Sequence, residues 1–151
     1  MNKTLFLPKI PWLLGLVLII LPACSSVKLI SDYDEITDKS VTALQEKLSE
    51  FFVKMETDIG TEAAAYAHYS SFYQQAKVNL ATLKIRADAI DKNKIVQDQI
   101  AALSIMLKDL EELHRIGFTN LTQVKQLEPP FNSAFTAIIK LQLALKRGEK
   151  K

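Results

Sequence analysis

Glu111 and His114 stand three positions apart, the E-x-x-H spacing that puts a carboxylate and an imidazole on one helix face, where both can reach one metal ion. A carboxylate-bridged di-iron site needs a second such pair and two further Glu. The other histidine, His68, has Ala65 three residues before it, so that set is incomplete. Met55, His68 and His114 are residue types that could hold a haem iron without covalent attachment. Methionine on an apolar stripe is equally ordinary core filler. Tyr66, Tyr69, Phe72 and Tyr73 gather aromatic surface beside Ala63, Ala64, Ala65 and Ala67. At helical spacing this is the pattern of core packing, in which a small residue admits a neighbour's ring; a ring left facing out would anchor a partner protein. Ser70 and Ser71 near His68 do not make a hydrolase, because a serine inside a helix has neither a strained elbow nor free amides for an oxyanion. There is no phosphate loop, no HExxH and no dinucleotide fingerprint. The residues thus specify no enzyme and no cofactor. Met55, Tyr66, His68, Tyr69 and His114 are the candidate ligand or partner surface.

Helices must position these side chains. Ser31 or Asp32 can cap a first helix, with Asp34 and Glu35 in its first turn facing the positive end of the dipole. Tyr33, Thr37, Val41, Leu44, Leu48, Phe51 and Met55 then recur at steps of three and four as far as Gly60. A second stripe runs through Tyr66, Tyr69, Tyr73, Ala76, Leu80, Leu83, Ala87 and Ile90, and a third through Val96, Ile100, Leu103, Leu107, Leu110 and His114. Gly117 follows as a left-handed C-terminal cap. The fourth segment carries Leu121, Val124 and Leu127, meets Pro129-Pro130, and resumes with Phe131, Ala134, Phe135, Ile138, Leu141 and Leu145. No strand-like alternation competes. The expected fold is all-α: an antiparallel up-down four-helix bundle about 35–45 Å long. Asp91–Lys94 contains neither Gly nor Pro, so the second and third segments could be one helix, and the double proline could kink or split the fourth. Heptad-like steps also permit a homodimer through a coiled coil.

The chain has 151 residues, 48% of them hydrophobic, enough for one domain with its own core. Lys3 and Lys9 are the charged residues of 1–23, and the rest of the chain carries as many bases as acids. That balance gives it no affinity for nucleic acid. One cysteine rules out an internal disulfide framework and CxxC chemistry. That cysteine, Cys24, follows a basic stretch to Lys9, the apolar run Ile10–Leu21 and Pro22-Ala23. The run falls well short of the ~20 residues a spanning helix requires. Leu21-Pro22-Ala23-Cys24 resembles the lipobox of bacterial lipoproteins, with an aliphatic residue three before the cysteine and a small residue immediately before it. Pro22 departs from the usual residue at its place, and the resemblance covers residues 1–26.

The resemblance implies that residues 1–23 are a cleaved signal peptide and that Cys24 takes a diacylglycerol on sulfur and an acyl chain on nitrogen. Two or three chains hold a protein stably on a bilayer. Ser25 in place of aspartate implies transport to the outer membrane, facing the periplasm. Residues 24–30 would be the lipidated cysteine and a short tether, 31–148 the bundle and 149–151 a basic tail. Six residues reach about 20 Å at most, so the bundle would sit against the membrane. In an up-down bundle the C-terminus returns to the anchored end, bringing Lys146, Arg147, Lys150 and Lys151 toward lipid headgroups, or simply to complement the end of a helix. Met55, His68 and His114 would lie at the opposite end. The expected role is a non-enzymatic interaction or scaffold protein whose partners are the membrane and another envelope protein; a bundle binding a small molecule, haem or metal is the alternative.

Overall fold

A computed structural model describes residues 30–149. Cys24, the expected leader of residues 1–23, Lys150 and Lys151 lie outside the described residues. The chain is an antiparallel up-down four-helix bundle of α1 (Glu35–Asp58), α2 (Tyr66–Ala89), α3 (Lys94–Ile116) and α4 (Leu121–Gly148), with one 3-10 turn, Glu62–Ala64, between α1 and α2. Each helix packs on two neighbours, most closely α1 on α4 and α2 on α3, and the diagonal pairs do not approach. No described helix is long and apolar enough to cross a membrane.

The four stripes close one core. Val41, Leu44, Leu48, Phe51 and Met55 of α1 meet Tyr69, Tyr73, Ala76, Leu80, Leu83 and Ala87 of α2, Val96 to Leu110 of α3, and Val124, Phe131, Phe135 and Ile138 of α4. Each large apolar side chain buried in this way contributes about 1.5–3 kcal/mol. Phe52, outside the first stripe, is buried too and reaches across to the Phe131 ring of α4 at 5.9 Å.

The helix ends correct several expectations. Helix α1 is capped by Asp34, whose carboxylate accepts from the Thr37 amide at 3.0 Å, and not by Ser31 or Asp32. Tertiary bonds decide this. The Ser31 amide donates to the Lys92 carbonyl and its hydroxyl to Asn93, while the Tyr33 and Asp34 amides donate to the side chains of Glu149, the residue that caps α4, and of Gln142 on α4. Residues 31–34 are therefore held extended across the end of the bundle, and the helix starts only after them.

Helices α2 and α3 are separate. Buried Asn93 donates to the Ala87 carbonyl at 3.1 Å, and Gln97 donates to the same oxygen at 3.2 Å, so the end of α2 is satisfied by side chains. Lys92 makes the turn at φ +59°, where a Cβ is disfavoured. Gly117 has the positive φ expected of it, +103°, but with ψ 131° the residue is extended and not left-handed helical. Helix α4 runs unsplit through Pro129 and Pro130. Both prolines are exposed, as are Lys125 and Gln126, whose carbonyls lose their helical donors there and can take water instead.

Residues 30–34, the α2–α3 turn and the C-terminal turn of α4 thus share one end, called the base below. The α1–α2 connection and the end of α3 form the far end.

Candidate functional site

Two of the buried polar side chains, Glu111 and His114, lie toward the far end. His114, on the third stripe, is 2% exposed and has both ring nitrogens engaged: Nδ1 lies 2.9 Å from the Tyr73 hydroxyl and Nε2 2.8 Å from the Ala64 carbonyl oxygen. A carbonyl only accepts, so Nε2 carries the hydrogen, and in the neutral ring Nδ1 accepts from Tyr73. Burial pushes the imidazole below its ordinary value, with the Ala64 bond acting in the opposite direction. The ring stacks on Phe118 at 4.7 Å and meets the edges of Phe51, Tyr66, Tyr69 and Tyr73. Burial also drives the Tyr73 hydroxyl well above the usual tyrosine range. His114 therefore ties α3 to α2 and to the 3-10 turn as a neutral clamp.

Glu111, one turn earlier, is buried and fully occupied. Its carboxylate accepts from the Tyr66 hydroxyl at 2.8 Å and pairs with Arg115 at 3.0 Å and with Lys77 of α2. Burial alone would raise this carboxyl, but Lys77, Tyr66 and Arg115 outweigh it and hold it at about 2. The Arg115 guanidinium lies 4.2 Å over the Tyr66 ring. A metal shared by Glu111 and His114 would have to displace Tyr73 or Ala64 from the ring and, from the carboxylate, either Lys77 or Tyr66 with Arg115. Among the described residues no three of His, Cys, Asp and Glu are grouped to hold a metal ion.

The concave surface of this half lies between α1 and α2. It is a groove of about 310 Å³ lined by Lys47, Glu50, Phe51 and Lys54 of α1 and by His68, Tyr69, Ser71, Phe72 and Gln75 of α2. Its floor is aromatic: Phe72 stacks on Phe51 at 4.5 Å, with the planes 15° apart. The Tyr69 ring meets Phe51 edge-on at 5.4 Å, and its hydroxyl donates to Asp58 at 2.6 Å. Burial first, and Asp58 second, push this phenol up to about 12. Lys54 covers the Tyr69 ring at 4.6 Å and pairs with Asp58.

The residues singled out in the sequence thus divide. His68 is exposed at the groove and Tyr69 presents one edge to it. Tyr66 is half-buried on the α2–α3 side. Met55 is fully buried and, with His114, belongs to the core. Cys24 lies outside the described residues. Ser70 donates to the Ala67 carbonyl one turn back, and Ser71 lies on the rim of the groove. Sequence reading missed Lys47, Glu50 and Lys54, although their spacing of three and four beside Phe51 marks the edge of the same stripe. It also missed Lys77 and Arg115, for which the buried Glu111 was the available signal.

Set against protein-family models, curated proteins and solved structures, the chain matches none.

Proposed function

We propose that the chain is a bacterial envelope lipoprotein: residues 1–23 are removed, Cys24 is acylated, and the bundle stands on the periplasmic side of the outer membrane, where it binds another envelope protein. The observation that carries the reading is how the bundle's two ends differ. The chain arrives from Cys24 at the base, where residues 31–34 bond to the α2–α3 turn and to α4. The aromatic-floored groove lies between α1 and α2 in the half of the bundle away from the base. Half-buried Phe72 flanked by Lys47, Glu50 and Lys54 is the composition of a protein-binding spot, an aromatic anchor inside a polar rim. A non-enzymatic role is supported by the commitment of Glu111 and His114 to partners within the protein.

Two experiments test this. Cells supplied with radiolabelled palmitate should label the protein, and Cys24→Ser should abolish both the label and membrane fractionation; an unlabelled wild-type protein overturns the lipoprotein reading. A photo-crosslinking amino acid in place of Ser71 should capture a discrete envelope protein in intact cells, and the same group in place of Asp109, exposed on the outer face of α3, should not. Equal capture from both positions, or capture unchanged by Phe72→Ala in a folded protein, overturns the assignment of the groove.

A further inference from the structure

We propose that the base of the bundle makes a second, non-covalent contact with the bilayer, an apolar edge of Ile30 and Ile95 seated among anionic headgroups that Lys92, Lys146 and Arg147 engage. The inference rests on the reading that Cys24 carries lipid. Ile30 and Ile95 are 44% and 49% exposed, and both line one shallow hollow together with Lys92 and the half-buried Leu145. They therefore form one continuous apolar edge between α3 and α4. Lys92 projects from the tip of the α2–α3 turn, and Lys146 and Arg147 lie in the last turn of α4 at the same end. Of the acids of this end, Asp34 pairs with Arg86 and exposed Glu149 accepts from the Tyr33 amide, while Asp32 and Asp91 stand exposed beside Ile30 and Lys92; Lys146 lies 5.0 Å over the Tyr33 ring, with its ammonium at the surface. Isoleucines rimmed by long cationic side chains are the chemistry that lies at a headgroup boundary, the methyls just below it and the charges at its level.

The chain's own geometry names the occupant. Ile30 is the point from which the chain leads to Cys24, and the six residue-to-residue steps from one to the other reach about 20 Å at most. Whatever holds Cys24 lies within that distance of this edge, so an acylated Cys24 brings the bilayer to Ile30 and Ile95 and not to the far end.

The core lies wholly between Thr37 and Gln142, so a chain beginning at Cys24 retains it. Such a chain lacks Trp12, the one tryptophan of the sequence, and its one thiol can be coupled to a maleimide lipid in vesicles of phosphatidylglycerol and phosphatidylethanolamine. With bromine on the acyl chains, the fluorescence of Ile95→Trp or Ile30→Trp should be quenched at least about twofold more than that of Ile116→Trp at the far end. Without the tether, Ile95→Ser should weaken partition into the same vesicles about fivefold. Quenching that is equal at the two ends, or absent at both Ile30→Trp and Ile95→Trp, overturns the proposal, as does partition unchanged by Ile95→Ser. Because the tether is made chemically, these results do not depend on whether cells acylate Cys24; palmitate labelling decides that separately.

Discussion

The His114 clamp can be taken apart with a double-mutant cycle. Tyr73→Phe deletes the hydroxyl and leaves Nδ1 as a buried acceptor without a donor, a loss of about 1–3 kcal/mol. His114→Phe leaves both the Tyr73 hydroxyl and the Ala64 carbonyl unpaired and forces a larger ring against Phe118, for about 2–4 kcal/mol. Once one partner is gone, deleting the other orphans neither member of the pair, although His114→Phe still leaves the Ala64 carbonyl unpaired. The double variant should therefore be more stable than the sum of the two losses implies, by about 1–2 kcal/mol. Urea unfolding followed by far-ultraviolet circular dichroism at pH 7.5 measures all three. The same variants carry a pH signature. His114 is held neutral in the folded protein with its pKa below 6.5, so near pH 6 the unfolded chain binds the proton first. The stability His114 supplies is full above about pH 6.5 and falls as the pH drops through that value toward the folded pKa. His114→Phe should lose this slope between pH 6.5 and 5. Additivity within about 0.3 kcal/mol, or a slope that survives His114→Phe, would refute the tautomer and the clamp together.

Asp34→Ala should cost about 1–2 kcal/mol from the lost cap alone. Arg86 first, and Thr37 with it, hold the Asp34 carboxyl at about 2, so its contribution is present above pH 4 and disappears between pH 4 and 2; acid unfolding of the variant should lack that step. Lys92→Gly should stabilise the protein by about 1 kcal/mol, because only the lysine carries a Cβ at φ +59°, and Gly117→Ala at φ +103° should destabilise it by at least as much, both read as shifts of the urea midpoint. Pro129→Ala and Pro130→Ala each restore an amide that can donate to the carbonyl four residues back at an exposed site. Each should raise the melting temperature, and a lower one would mean that the prolines shape the α1–α4 contact.

The helices and their buried faces were legible because burial on one side of a helix imposes its own period, and the residues of the first three stripes from Val41 to His114 are nearly all in the core. Phe52 was not, since it sits beside Phe51 and two adjacent positions cannot lie on one stripe; the pair straddles the sides of α1 that face α2 and α4. Gln142, buried within an apolar run, gives no local sign that it accepts from the Asp34 amide 108 positions away. Three residues near the start have capping side chains, and the choice of Asp34 was made by Arg86 and α4. Tyr73 and His114 were both placed on the right faces. That they meet depends on the register of α2 against α3, which is set by the turn around Asn93 and not by either helix's own pattern. The groove was half legible: its aromatic floor stood in the sequence as core packing, with an outward-facing Tyr69 or Phe72 as the alternative, and Phe51 was counted wholly as core.

The hydrogen bonds of residues 31–34 have a mechanical consequence. A pull on the amino-terminal end would meet Asn93, Arg86, Gln142 and Glu149 at once, so it would be shared among the α2–α3 turn, α2 and α4 before α1 could be peeled away. Bonds sheared in parallel yield at higher force than bonds opened one by one. Tension along the amino-terminal tail would therefore tend to turn or lift the whole bundle as one body before unravelling its first helix.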